Sequence, residues 1–176
     1  MAAAGTLGST SDPFILTLEM DGEAFAALDA LRRRYYAQER NQVPAHVTLF
    51  YRLPRERSRE IKLLLVQMAS AQRSIEVPAG EVRATERGVA IFLHSPQLSS
   101  LRERLASEMD PWLREEDRAR FQPHVTLQTT LNEGEARRTR QEIAATFRPP
   151  RIRGTGLHLW RYRSGPWESE RLFRFR

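Results

Sequence analysis

The tetrapeptide His-Val-Thr-Leu occurs twice in this chain, as His46-Val47-Thr48-Leu49 and as His124-Val125-Thr126-Leu127. Only four histidines are present, so half of them sit in the repeated word. The contexts also match: Pro44 lies two residues before the first copy, and Pro123 directly precedes the second. A strand-like word repeated in both halves constrains the chain to two similar lobes with equivalent elements. A repeated word that carries His and Thr points to a site assembled from both.

Val, Thr and Leu after His read as a strand, because β-branched side chains fit a pleated surface. Strand side chains alternate faces, so His and Thr point one way, roughly 6.5–7 Å apart, while Val and Leu point into a core. Two such strands facing across a cleft would offer two imidazoles and two hydroxyl donors to one small anion. That constellation suits phosphodiester chemistry without a metal. A neutral His can take a proton from the attacking oxygen, and a protonated one can give a proton to the leaving oxygen. Histidine does both because its ordinary pKa, about 6.5, lies near operating pH. The Thr hydroxyls can donate to the non-bridging phosphate oxygens as charge shifts.

The remaining composition narrows the class. The chain has 176 residues, 40% hydrophobic and 28% charged, the balance of a soluble globular domain. No apolar run approaches the roughly 20 residues of a membrane span. There are no cysteines, which excludes disulfides, zinc thiolates and thiol nucleophiles. A zinc site is disfavoured because no third ligand lies at suitable local spacing beside either motif. Met1 to Asp12 is small and polar and reads as a flexible leader, not a signal peptide. The expectation is a cytoplasmic monomer without cofactor. Net charge is +6, and Lys62 is the only lysine among 28 basic residues. An arginine-rich balance favours a polyanionic partner, although a GC-rich genome would produce it too.

Along the chain, Phe14 to Leu18 reads as a strand, and Asp21 as the N-cap of a helix carrying Phe25, Leu28, Leu31 and Tyr35. The first His strand, about 46–53, follows. Pro54 opens a helix with Ile61, Leu64, Leu65 and Met68 as its stripe. Ser74 to Thr85 and Gly88 to His94 read as a strand pair turning at Glu86-Arg87-Gly88. Ser95-Pro96 then caps a helix with Leu98, Leu101, Leu105 and Met109. The second His strand, about 123–129, comes next, then a helix opened by an Asn132/Glu135 capping box. Two strands, Ile152 to Tyr162 and Glu170 to Phe175, end the chain. The fold expected is α+β and bilobal, pseudo-duplicated, with two antiparallel sheets forming a central cleft and helices packed outside, in one domain over residues 13–176.

Two His-x-Thr motifs on equivalent strands, the second within Phe121-Gln122-Pro123-His124-Val125-Thr126-Leu127, resemble the two-histidine (2H) phosphoesterase superfamily and its 2'-5' RNA ligase/cyclic phosphodiesterase branch. The resemblance implies an active site in the cleft, with His46 and His124 as general acid and base in either order. Thr48 and Thr126 would be the phosphate-binding donors, and no metal would be needed. It implies hydrolysis of 2',3'-cyclic phosphates of RNA ends or nucleotides to 2'-phosphates; some members ligate RNA ends through 2'-5' linkages or cleave 2'-5' bonds. Many members of that branch carry an arginine shortly after the second motif, where this chain has Gln128, Thr129 and Thr130.

Further contacts are read from the strand faces. Phe50 and Arg52 share the face of His46 and Thr48 and are candidates for base stacking and phosphate contact. Gln128 shares the face of His124 and Thr126. His158 and Trp160 share a face, and Trp160 is a candidate to stack a base. His94 reads as a surface or capping residue. Arg32-Arg33-Arg34 and Arg137-Arg138 read as solvated helix faces, with an RNA track as the alternative. An RNA-binding module on the same scaffold, with little catalysis, is the second reading of the whole chain.

Overall fold

The two repeated words form outer edges of two different sheets. The computed structural model describes residues 12–129 and 132–176, so all of the expected leader except Asp12 lies outside the described residues. The strands are β1 (Phe14–Met20), β2 (Val47–Leu53), β3 (Ile75–Glu76), β4 (Ala79–Thr85), β5 (Gly88–Leu93), β6 (His124–Thr129), β7 (Arg153–Arg161) and β8 (Glu168–Arg174). One sheet has the order β2-β1-β7-β3, with β8 also paired to β7. The other has the order β4-β5-β6. All pairings are antiparallel. The helices are α1 (Gly22–Tyr35), α2 (Ser58–Ala71), α3 (Pro96–Met109), the single turn α4 (Glu115–Arg118) and α5 (Glu133–Thr146).

Capping chemistry starts α1, α3 and α5 where the sequence expects it. By contrast, α2 begins at Ser58 after a 3-10 turn over Arg55–Arg57 rather than directly at Pro54, and neither α2 nor α4 has a side-chain cap. Asp21 accepts from the Ala24 N–H at 3.0 Å, and Ser95 accepts from that of Leu98 at 3.2 Å, with Pro96 directly after it. Asn132 and Glu135 make the reciprocal capping box of α5. Val47, Leu49, Val125 and Leu127 are buried, as the alternation requires, and join Leu16, Leu18, Ile91, Leu101 and Leu159 in the core. Gly88 opens β5 at φ 154°, where a Cβ would lie 1.9 Å from the Gln128 carbonyl oxygen. The tight two-residue turn at Glu86-Arg87 therefore needs glycine there.

The halves of the sequence are not the lobes in space. The strand pair of the first half, β4 and β5, builds the sheet of the second His strand. The C-terminal pair, β7 and β8, returns to the first sheet beside β1. The segment read as one strand from Ser74 to Thr85 is two: β3 pairs with β7 and β4 with β5, and the chain changes sheet at Val77-Pro78. The exchange of strand pairs ties the two sheets together through the backbone.

The stripe of α1 is rotated from the expected one. Ala24, Leu28, Asp29 and Arg32 are buried, while Phe25 is 37% exposed. Arg32 is not a solvated helix residue: its Nη1 donates to the Thr126 carbonyl on β6 at 2.5 Å. Its Nε donates to Asn41 Oδ1 at 2.9 Å and to the Val43 carbonyl at 3.2 Å. Arg102, buried on α3, reaches the other motif. Its Nε donates to the Leu49 carbonyl at 2.7 Å, its Nη2 donates to the Asp117 carbonyl, and its guanidinium lies 3.7 Å over the Phe50 ring. Asp117, also buried, accepts from the Tyr51 and Arg52 N–H groups at 2.7 and 2.9 Å. These attachments coincide with two register shifts between β1 and β2. Backbone groups that β1 does not pair there are satisfied by the second half of the chain.

Removing the Arg102 fork would leave two carbonyls in a dry place. Arg102→Ala should lower unfolding free energy by about 3 kcal/mol, and Arg102→Lys should recover only part, since one ammonium cannot copy the fork. Urea denaturation checks this; a change within about 0.5 kcal/mol for the Ala variant would contradict the bracing role.

Candidate active site

His46 lies one residue before β2, and the segment leading to it is held by α1. Asp29 Oδ1 accepts from the Ala45 N–H at 2.9 Å, and the Asn41 and Val43 contacts of Arg32 fix the preceding turn. His124 is the first residue of β6, and the Leu93 N–H donates to the Pro123 carbonyl at 2.8 Å just before it. Each imidazole is then oriented in the same way. His46 Nδ1 lies 2.8 Å from the Pro44 carbonyl oxygen, and His124 Nδ1 lies 2.8 Å from that of Gln122. A carbonyl only accepts, so Nδ1 carries the hydrogen in both rings. Nε2 of each is left as the atom that can exchange a proton. The two-residue backward bond is a local property of the repeated word and its extended approach, which explains why both copies adopt it.

The quartet lines two adjoining cavities. Thr48, His124 and Thr126 line one of ≈ 700 Å³, together with Tyr51, Phe92 and Gln128. His46 opens onto another of ≈ 590 Å³, with Phe25, Trp160 and Trp167. The ring of His46 is 4.7 Å from that of Trp167, and the ring of His124 is 5.5 Å from that of Phe92. Burial pushes the His46 pKa down to about 4, and the positive Arg32 and a charge on His124 push in the same direction. The bond to Pro44 opposes this without cancelling it. His46 therefore presents a free Nε2 lone pair at neutral pH, close enough to His124 to feel its charge.

The other candidates divide. Gln128 lines the cavity as its face requires, and its side-chain oxygen is buried without a partner among the described residues. Trp160 lines the His46 side, where its Nε1 donates to Thr17 Oγ1 at 2.9 Å and its ring stacks on His158 at 3.7 Å. Both nitrogens of His158 are engaged, by Glu19 at 3.2 Å and Ser169 at 2.8 Å, so this ring packs and orients. Phe50 does not share the open face. The register shift at Leu49 turns it into the core, where it is fully buried beneath Arg102. Tyr51 takes the open place: it is 47% exposed, lines the cavity and faces the Thr48 hydroxyl. Burial and Asp117 raise its pKa, so it stays a neutral phenol. Arg52 projects outward with Glu116 at 3.8 Å. His94 is exposed next to the Ser95 cap, and Arg137 pairs with Glu133 on a solvated face, as read.

Two functional candidates escaped the strand-face reasoning. Tyr51 requires knowledge of the bulge, which strict alternation hides. Trp167 precedes β8 in a connecting segment, and only the register of β7 against β8 brings it to His46. Among the described residues no group of three or more His, Asp or Glu is arranged to hold a metal ion, and no helix is long and apolar enough to cross a membrane.

Known structures share this fold. A Thermus thermophilus protein, TT0787, superposes with a TM-score of 0.64 at 18% identity, over 93% of this chain and 98% of its own. Escherichia coli LigT complexed with 3'-AMP gives 0.63 at 16% identity, over 93% and 98%. LigT complexed with phosphate gives 0.57 at 16% identity, over 95% and 99%. At such identities the likeness is one of fold. None of the curated proteins matches the sequence. The family model of the 2'-5' RNA ligase superfamily matches residues 20–166. With its two antiparallel sheets and its paired motifs at their edges, the chain belongs to the 2'-5' RNA ligase superfamily of 2H phosphoesterases.

Proposed function

We propose that this protein is a metal-independent phosphoesterase that opens 2',3'-cyclic phosphates of RNA ends or nucleotides to 2'-phosphates. The observation that carries the reading is the matched orientation of His46 and His124, each tied through Nδ1 to the carbonyl two residues back and each leaving Nε2 available. The LigT complexes with 3'-AMP and with phosphate support a nucleotide phosphate as the kind of ligand this fold receives.

In this reading the phosphate lies between the two imidazoles. His46, kept neutral by burial, takes the proton of the attacking water through Nε2. The new oxygen–phosphorus bond forms as the bond from phosphorus to O3' breaks. His124 gives its Nε2 proton to O3', leaving the 2'-phosphate. Thr48 and Thr126 donate to the non-bridging oxygens as charge moves onto them. A 5'-hydroxyl in place of water would give a 2'-5' linkage by the same transfers, which is how ligation and hydrolysis share one quartet. Trp160, Trp167 and Tyr51 are the flat surfaces available to a base.

Product analysis with a nucleoside 2',3'-cyclic phosphate in EDTA tests the reading. Wild type should yield the 2'-phosphate; His46→Ala and His124→Ala should each lose at least about 10²-fold in turnover while remaining folded, the size of one general acid–base contribution. Substantial turnover by both variants would contradict it. Should RNA binding that weakens steeply with salt persist in both variants without any turnover in wild type, the binding-module reading would replace it.

The pH profile is a separate check. A histidine whose pKa is depressed is deprotonated, and so competent as a base, from about pH 4 upward. The acidic limb of log kcat/KM should therefore hold through about pH 6 and fall only below about pH 5. A break near the unperturbed value of about 6.5 would remove His46 from the base role. By the same shift, unfolded His46 binds a proton more readily than folded His46. Its contribution to stability is thus present above the unfolded pKa and is lost as pH falls toward about 4.

A further inference from the structure

The cavity on the His124 side carries two arginines whose guanidinium groups no other described residue engages. Arg87 sits in the turn between β4 and β5, and Arg120 precedes His124 by four residues. Both are exposed, and both line the cavity that also holds Thr48, His124 and Thr126. Neither guanidinium has a hydrogen bond, ion pair or ring contact among the described residues. Nearby arginines differ: Arg83 is paired with Glu81, Arg118 with Asp110, and Arg52 faces Glu116 at 3.8 Å. The carboxylates on the same wall are largely committed, Asp117 to two backbone N–H groups and Glu116 to Arg52. Glu86 beside Arg87 is the remaining acidic neighbour on the wall, so the free charge there is net positive.

The volume points the same way. At ≈ 700 Å³ the cavity is several times larger than the phosphate that the quartet would grip, so a substrate that filled it would extend past the reacting phosphorus. The two cavities are also unlike. The His46 side is walled mainly by Phe25, Trp160 and Trp167, and its one arginine, Arg174, shares the lining with Glu19 and Asp21. The His124 side adds two guanidinium forks, whose geometry matches phosphate oxygens, to its aromatic lining.

We propose that Arg87 and Arg120 form a subsite for a second phosphate, so that the preferred substrate is a nucleotide or oligonucleotide end bearing a further phosphate or phosphodiester next to the reacting one. A nucleoside cyclic phosphate alone would leave this subsite empty. The inference rests on the proposed function for the placement of the first phosphate, but its own signature is a preference, not turnover.

Calorimetric titration with adenosine 2'-phosphate and adenosine 2',5'-bisphosphate reads that preference without catalysis. Wild type should bind the bisphosphate at least about tenfold more tightly, the worth of one charge-assisted contact. In Arg87→Ala/Arg120→Ala the two ligands should bind alike, with affinity for the monophosphate unchanged. Both residues are exposed, so the variant should fold as wild type does. Equal affinity in wild type, or a preference that survives the double substitution, would overturn the subsite alone. Binding of neither ligand would overturn the subsite and the proposed function together.

Discussion

Two buried arginines hold the structure in its working form. The motif strands β2 and β6 are edges of different sheets, and an edge strand presents unpaired backbone groups that must be satisfied or covered. Arg32 from α1 takes the carbonyl of Thr126, inside the second motif. Arg102 from α3 takes the carbonyl of Leu49, inside the first. Each guanidinium therefore crosses from the helix preceding one motif to the strand of the other. Burial disfavours both charges and lowers both pKa values, and several hydrogen bonds per fork offset that cost. The result is two edges fixed against each other without being paired, which leaves a cleft where a continuous sheet would leave none.

The chemistry of the site follows from the same brace. Arg32 fixes the turn before His46 through Asn41 and Val43, and its charge helps to keep that imidazole neutral. Asp117 and Arg102 satisfy the bulged stretch of β2, and the bulge exchanges Phe50 for Tyr51 at the mouth of the cavity. A single set of buried polar contacts thus braces the two sheets, adds to the burial that keeps one histidine neutral and exposes the aromatic surface beside Thr48.

Much of this was readable from the residues, and the exceptions share a cause. Helix starts at Asp21, Ser95 and Asn132 depend on bonds within a few residues, so local sequence specifies them. The inward Val and Leu and outward His and Thr of each motif depend only on the period of a strand. Tyr51, Trp167 and Arg32 depend on partners far along the chain, and no local pattern encodes a bulge or a register. Arg32 is the sharpest case: three consecutive arginines on a helix read as solvated, yet Arg33 stays exposed beside buried Asp29 while Arg32 is itself buried. Which sheet each strand pair joins is hidden for the same reason, since β4–β5 and β7–β8 find their partners across the whole chain.

The central claim is that one phosphate site is assembled from both halves, and a crystal structure with a bound nucleoside 2'-phosphate tests it most directly. The account predicts a single phosphate within hydrogen-bond distance of Nε2 of both His46 and His124, with the Thr48 and Thr126 hydroxyls on its non-bridging oxygens. A phosphate held by one motif alone, or bound away from both, would contradict it.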